Sequence, residues 1–256
     1  MSGVSATHLR LVEPVEGGRN ELEVRTSLVR RFLGIGDTEP GELTAITSGS
    51  IYCGHFTSPE QHLKMLRSVE HLRGFTGAYM LVNGPMNPDL TFRYEPGTWN
   101  NAKPGRAADR DIQSLRAIFI DVDVVRPKNI SSTGAQLQAA YEVSCTLESW
   151  LADVIGDDAG IGHGCSGNGF FTLVALQPIE CSHDTSKRIQ ELLGLLQKKF
   201  GNEQTKIDAT TFNPSRLMPA PGTWKRKGRN APERPHRMVS FTCKPDVRRV
   251  PLEVLC

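Results

Sequence analysis

The sequence predicts an α+β fold whose second half follows the split βαβ order of strands and helices. The run Ala117 to Val125 is rich in β-branched and aromatic residues, which is typical of a buried strand. Apolar residues recur with helical spacing in Thr133 to Ile155 and in Asp184 to Phe200. Strand-like segments between and after these two helices complete the order β-α-β-β-α-β.

The remaining strands of this order are predicted from turn signals. Gly156 ends the first helix, and a strand pair then surrounds the glycine-rich turn from Ser166 to Gly169. After the second helix, Lys206 to Thr211 and Met238 to Cys243 predict two further strands.

Two helices and one strand are predicted in the first half. Asn20 to Leu33 places its apolar residues on one helical face. Ser58 begins a second helix as an N-cap residue, and its expected buried stripe is Leu63, Leu66, Val69 and Leu72. Tyr79 to Val82 predicts a strand, and residues 87–108 are expected to form a long loop because they are rich in Pro, Gly and Asn.

The composition is that of an ordinary globular protein, with 256 residues, 38% hydrophobic and 23% charged. No apolar run approaches the length of a membrane span, which argues against a membrane partner. The first 15 or so residues are expected to be a loose lead-in, and they lack the apolar segment of a signal peptide. The six cysteines have no paired spacing, so we expect free thiols and a cytoplasmic location.

The charge is unevenly distributed although the net charge is only +2. Between Ala209 and Arg249 there are ten Lys and Arg residues against Glu233 and Asp246. Such an asymmetry favours a face that binds the phosphates of a nucleotide or of a nucleic acid, and the alternative is a solvated basic surface.

The buried strand carries two aspartates, Asp121 and Asp123, near its end. Side chains alternate faces along a strand, so both carboxylates point the same way, with Cα atoms roughly 7 Å apart. Two carboxylates on one face of a core strand repel each other, and a divalent cation between them would remove that cost. The alternative is a strand that ends in a solvated loop.

Asp208 is a third candidate carboxylate. In the split βαβ arrangement its segment can fall on the strand beside Asp121 and Asp123. Three carboxylates on one face of a sheet would suit two Mg²⁺ or Mn²⁺ ions, which prefer oxygen ligands. The alternative is an ordinary surface aspartate.

The turn formed by Ser166, Gly167, Asn168 and Gly169 is a candidate phosphate-binding element. Small residues at a tight turn expose backbone N–H groups, which can bind phosphate oxygens beside a serine hydroxyl. Asn-Gly is also the commonest hairpin turn, so a plain hairpin is the alternative.

A basic loop follows Asp208 and contains Arg216, Lys225 and Lys227. A guanidinium matches the geometry of phosphate oxygens, and a lysine offers a point charge. His236 could add a further donor. The alternative is a solvated basic loop.

Taken together, these segments resemble the archaeo-eukaryotic primase (AEP) superfamily, and within it the primase-polymerase (prim-pol) branch of prophages, plasmids and CRISPR-associated proteins. DVDVVRPKNISST from Asp121 to Thr133 is similar to the DIDPVRPxGISST form of that family. SGNG, NPSR and PGTWKRKG follow in the order and spacing of the family, while LVNGPMNPDL and AADRDI match its N-terminal region. The resemblance covers residues 54–236.

The resemblance implies an AEP-type catalytic core, with an RNA-recognition-like lobe over residues 113–256 and a smaller N-terminal α/β lobe over residues 1–112 that together form one prim-pol domain. Related proteins often continue into a helicase-like region, which leaves open that the chain is excised from a longer protein. The activity implied is template-dependent joining of NTPs or dNTPs on single-stranded DNA. The implied partners are a template, a primer and the nucleotide, with a helicase region or replication or CRISPR proteins as further candidates.

The resemblance also implies a role for each site residue. Asp121, Asp123 and Asp208 would be the catalytic ligands of two Mg²⁺ or Mn²⁺ ions. Ser166 and the glycine turn would bind the triphosphate of the nucleotide. Arg216, with Lys225 or Lys227, would neutralise phosphate charge, and Asn100 or Asn101 would shape the pocket.

Phe171 departs from the family pattern, which usually reads SGNGxH with the histidine on the triphosphate. Either His163 or His236 substitutes for it, or this branch works without it, or the activity is weak or altered. The rival functions are therefore a catalytically inactive nucleic-acid-binding module and a metal-dependent nuclease. The sequence leaves open the preference for NTP or dNTP, priming against extension, the host process and the oligomeric state.

Overall fold

The computed structural model describes residues 19–101 and 105–256, and within them the fold is α+β, as predicted. The helices are α1 (Arg19–Leu33), α2 (Pro59–Ser68), α3 (Gly134–Ile155) and α4 (His183–Phe200). The strands are β1 (Gly41–Thr47), β2 (Ile51–Phe56), β3 (Phe75–Leu81), β4 (Asn100–Asn101), β5 (Ser114–Val124), β6 (Ile161–Cys165), β7 (Gly169–Glu180), β8 (Thr205–Ile207), β9 (Leu217–Pro219), β10 (Trp224–Lys225), β11 (Arg237–Met238) and β12 (Thr242–Cys243).

The predicted split βαβ order is confirmed in the second half. Strands lie in the order β12-β6-β7-β5-β8, and every neighbouring pair is antiparallel. The helices α3 and α4 pack on one face of this sheet through an apolar core that includes Ile118, Ile120, Val122, Leu147, Leu151, Leu193 and Leu196. One face of β5 is thus covered by helices, and its other face is available to the rest of the molecule.

The first sheet has the order β4-β2-β1-β3-β9 and contains a hairpin that the sequence pattern did not predict. Each of the strands β1 and β2 contains a glycine, and most of their residues are buried on both faces, so they lack the apolar–polar alternation of a half-buried strand. The strand β9 comes from far downstream and pairs with β3. The division into lobes at residues 112 and 113 stays a prediction.

The two sheets share a second core together with α1. It joins Phe32 and Leu33 of α1 and Leu43 and Met80 of the first sheet to Phe119, Phe171 and Leu173 of the second. The face of β5 that carries Phe119 therefore points between the sheets, which is where Asp121 and Asp123 also lie.

Several local predictions need correction. Ser58 caps α2 as expected, accepting a hydrogen bond from the Gln61 N–H at 3.3 Å. The buried stripe of this segment, however, is His62, Met65, Leu66 and Val69, and the predicted Leu63 and Leu72 are only half-buried. The predicted strand 238–243 is interrupted, because β11 pairs with β10 and β12 pairs with β6.

The predicted long loop 87–108 contains a 3₁₀ helix at Pro88–Arg93 and the short strand β4. The expected lead-in, about residues 1–15, lies outside the described residues. Where the chain is described, no helix is long and apolar enough to cross a membrane. The six cysteines are free, as predicted.

Candidate active site

The predicted pair of carboxylates lies on β5, a long inner strand of the second sheet. Ile120, Val122 and Val124 point into the core beneath the helices. By alternation Asp121 and Asp123 point to the opposite face, towards the space between the sheets, and both are half-buried.

The structure brings Asp208 beside this pair. Ile207 of β8 lies opposite Val122 of β5, and the Asp208 N–H donates to the Asp121 carbonyl oxygen at 3.0 Å. Asp121 and Asp123 thus lie on β5, and Asp208 lies directly after the neighbouring edge strand β8.

The crowding of negative charge is strongest at Asp121. Burial, followed by the charges of Asp123 and Asp208, raises the pKa of the Asp121 carboxyl to about 7, although Lys227 and Arg216 oppose the shift. A bound divalent cation would offset both the cost of burying the negative charge and the repulsion between the carboxylates.

The carboxylates are engaged with local partners in this conformation. Asp123 Oδ1 accepts from the Val124 N–H at 3.0 Å and lies 3.4 Å from Nη2 of Arg126. Asp208 Oδ1 accepts from the N–H and the hydroxyl of Thr210 at 2.9 and 2.7 Å. Accordingly, no cluster of three or more His, Cys, Asp or Glu residues in the described ranges is arranged to hold a metal ion.

The turn from Ser166 to Gly169 connects β6 to β7 and lies beside the carboxylates. Gly169 is opposite Asp123 in the register of β5 and β7. A Cβ atom on Gly169 would lie 2.4 Å from the Val122 carbonyl oxygen and 3.1 Å from Asp123 Cα, so only glycine allows this approach.

The N–H groups of this turn are used internally, which differs from the exposed groups expected from the sequence. Ser166 Oγ accepts from the N–H groups of Gly169 and Asn168 at 3.0 and 3.4 Å. The Gly167 N–H points to the Cys165 sulfur at 3.3 Å. A phosphate could use these donors only if Ser166 released them.

Arg216 lies close to the carboxylates. Its Nη2 donates to the Thr210 carbonyl oxygen and to Asn213 Oδ1 at 2.8 and 2.6 Å, while its buried Nε has no partner in the structure. Burial lowers the pKa of its guanidinium, and the charges of Asp208 and Asp121 oppose that effect. A buried donor without a partner beside the carboxylates is what an anion-binding residue offers.

The structure distinguishes the two candidate lysines. Burial, followed by the charge of Arg126, lowers the pKa of Lys227, and the nearby charges of Asp123 and Asp121 oppose this shift. Lys225 instead lies with Nζ 3.9 Å from the centre of the Tyr79 ring, and burial, together with Lys227, lowers its pKa to about 7.

His236 and Asn100 make their side-chain hydrogen bonds away from the carboxylates. The His236 ring bonds the Gly228 carbonyl oxygen at 3.0 Å and so ties together its own loop. Asn100 lies on the edge strand β4, where its side chain donates to Thr98.

Phe171 is a core residue at the position where the family has histidine. It lies opposite Asp121 on the same face of the sheet and is fully buried. Its ring contacts Phe119, with centroids 5.6 Å apart, and stacks parallel to Phe241 at 6.3 Å.

His163 cannot replace the missing histidine. It is paired with Thr172, the neighbour of Phe171, and so lies on the opposite face from Asp121. There its Nδ1 contacts the Glu148 carboxylate of α3 at 3.2 Å.

We expect Phe171→His to destabilise the fold by about 2–4 kcal/mol, because the imidazole nitrogens would be buried against Phe119 and Phe241 without partners. Phe171→Leu, which adds no polar atom, is the matched control and should cost less. Urea unfolding measures both. A Phe171→His variant as stable as the wild type, with tighter nucleotide binding, would show that this position opens to the substrate.

Arg126 is a site residue that sequence reasoning did not single out. Its signal is its place three residues after Asp123, on the loop that leaves β5. Only 6% of its side chain is exposed.

No protein-family model matches the chain, and no curated protein matches it. Among solved structures, it is similar to the AEP domain of the cyanophage S-2L primase-polymerase, with a TM-score of 0.46 and 15% identity over 91% of this chain and 97% of that chain. It is also similar to the polymerase domain of Mycobacterium tuberculosis ligase D in complex with DNA, with a TM-score of 0.43 and 14% identity over 93% of this chain and 87% of that chain.

Proposed function

We propose that the chain is a template-dependent nucleotidyltransferase of the primase-polymerase type, which joins NTPs or dNTPs on single-stranded DNA. One observation supports the proposal most directly. Three carboxylates, Asp121, Asp123 and Asp208, lie close to two cationic side chains, Arg216 and Lys227, at one edge of the sheet. Carboxylates and cations at one place suit a substrate that brings both metal ions and phosphates.

The carboxylates are the candidate ligands of two Mg²⁺ or Mn²⁺ ions, whose preference for oxygen they satisfy. Asp123 and Asp208 would exchange their present partners, Arg126 and Thr210, for the metal. When bound, the two ions would activate the attacking 3′-hydroxyl and stabilise the leaving pyrophosphate.

The protein's own groups would position the nucleotide. Arg216 and Lys227 would neutralise phosphate charge on the side of the carboxylates, and Ser166 would donate its hydroxyl to the triphosphate. The basic stretch from residue 209 to residue 249 supports template and primer contacts that weaken with salt. The same proposal includes a cytoplasmic site of action. It also includes, as candidate partners, a helicase region, replication proteins or CRISPR proteins.

The experiment is primer synthesis and extension on single-stranded template with Mn²⁺ and labelled NTPs or dNTPs. We expect the wild type to form product. The rate of product formation by the double variant Asp121→Ala/Asp123→Ala should be lower by about a thousandfold or more, because the candidate metal ligands are removed. Asp153→Ala, on the exposed side of α3, is the control for a lost carboxylate.

Two outcomes would contradict the proposal. Folded wild type that binds DNA but forms no product would indicate a non-catalytic binding module. Degradation of the DNA in place of extension would indicate a nuclease that uses the same carboxylates.

A further inference from the structure

Arg126 is a buried cation beside the carboxylates and has unused donors. Its side chain is 6% exposed, and its Nη2 lies 3.4 Å from Asp123 Oδ1. Both Nε and Nη2 lack a hydrogen-bond partner. Buried guanidinium donors without acceptors are rare because they have lost water and gained nothing in return.

The ion pair with Asp123 satisfies the charge of Arg126 without satisfying its donors. Lys227 is a second cation near Arg126. Burial lowers the pKa of Lys227, and the positive charge of Arg126 lowers it further. Arg126 and Lys227 are therefore neighbouring cations beside the carboxylates, and an additional anion is favoured next to them once a divalent cation neutralises those carboxylates.

A metal ion and Arg126 would compete for Asp123. Two positive charges on one carboxylate repel each other, so a metal that binds Asp123 weakens the hold of the guanidinium. The displaced guanidinium would still be buried and would need an acceptor. A phosphate oxygen matches its planar pair of donors.

We propose that Arg126 is a phosphate-binding residue with two alternative partners, an inference that rests on the proposed function. Without metal it holds Asp123, and with metal bound to Asp123 it donates Nε–H and Nη2–H to a phosphate. That phosphate belongs either to the incoming nucleotide or to the DNA strand.

The test measures binding in the full chain, with no turnover. Mn²⁺ titration compares wild type with Arg126→Gln, then a non-hydrolysable dNTP and a single-stranded oligonucleotide are titrated separately at saturating Mn²⁺. We expect Arg126→Gln to bind Mn²⁺ more tightly, on the order of tenfold, and a phosphate ligand more weakly by a similar factor. Lys128→Gln removes an exposed charge two residues away and should change neither.

Opposite changes in the two affinities distinguish this role from a merely structural one, which would lower both. Weaker binding of the dNTP assigns the phosphate to the nucleotide, and weaker binding of the oligonucleotide assigns it to DNA. Unchanged or weaker Mn²⁺ binding by folded Arg126→Gln overturns the inference, as does unchanged binding of both phosphate ligands.

Arg126→Lys keeps the test decisive should Arg126→Gln not fold. It retains the charge without the paired donors, so Mn²⁺ affinity should stay near that of the wild type while the phosphate ligand binds more weakly. Equal phosphate affinity in Arg126→Lys and wild type would overturn the inference. Failure of folded wild type to bind Mn²⁺ would instead count against the proposed function itself.

Discussion

Asp121→Asn is expected to abolish activity while making the metal-free protein more stable at alkaline pH. Asparagine keeps the shape of the side chain but removes the charge that Asp123 and Asp208 repel. Loss of one metal-binding carboxylate should reduce the rate by about a thousandfold or more.

The stability effect depends on pH in a defined direction. The pKa of Asp121 is raised to about 7, whereas in the unfolded chain it is about 4. Between these values the folded protein keeps a proton that the unfolded chain has lost, so the free energy of unfolding falls as pH rises through this window. At pH 8 in EDTA, Asp121→Asn should therefore be about 2–4 kcal/mol more stable than wild type, and near pH 4 the two should be equal.

Urea unfolding from pH 4 to pH 8 measures this difference. Asp153→Asn, an exposed carboxylate on α3, should follow the wild-type curve. Saturating Mn²⁺ should stabilise the wild type more than Asp121→Asn, because the ion replaces the missing counter-charge. Equal stability of Asp121→Asn and wild type at pH 8 without metal would mean that the carboxylates do not strain the site.

Gly169→Ala should be the most damaging single-methyl change at the site. The added Cβ would lie 2.4 Å from the Val122 carbonyl oxygen, and neither strand can move without breaking the pairing of β5 with β7. We expect a loss of about 2–3 kcal/mol in the free energy of unfolding. Because Asp123 lies directly opposite, activity should fall even at temperatures where the variant is folded.

Gly194→Ala is the matched control for this substitution. Gly194 lies inside α4, and a Cβ there would meet no atom within 4 Å. It should raise stability by about 0.5–1 kcal/mol, since alanine favours a helix over glycine. A Gly169→Ala variant with wild-type stability and activity would contradict the close contact between the turn and the carboxylate strand.

The predictability of the elements follows the strength of their local patterns. The helices α3 and α4 carry long apolar stripes and clear caps, and β5 contains the apolar run from Ala117 to Ile120, so each was predicted nearly to its bounds. The hairpin of β1 and β2 was missed because most of its residues are buried on both faces, which removes the apolar–polar alternation that predicts a strand. It forms because β3 on one side pairs with it.

The carboxylates illustrate the same division at the site. Alternation along β5 was sufficient to place Asp121 and Asp123 on one face. Their order along the chain could suggest but not establish that Asp208 lies beside them, since that depends on the pairing of β8 with β5. Among the basic residues, composition could not choose between Lys225 and Lys227, and only packing against Tyr79 separates them.

By itself, the sequence determined the α+β class, the split βαβ order and the residue types of the site, because periodicity and charge are local properties. Only the tertiary structure decided that Phe171 is sealed in the core and that His163 faces away from the carboxylates. It also revealed that Arg126 is buried against Asp123 with its donors unused. These facts depend on which face of a strand is covered and on which segment covers it. Local sequence patterns do not predict such contacts, because the contacting segments are far apart in the chain.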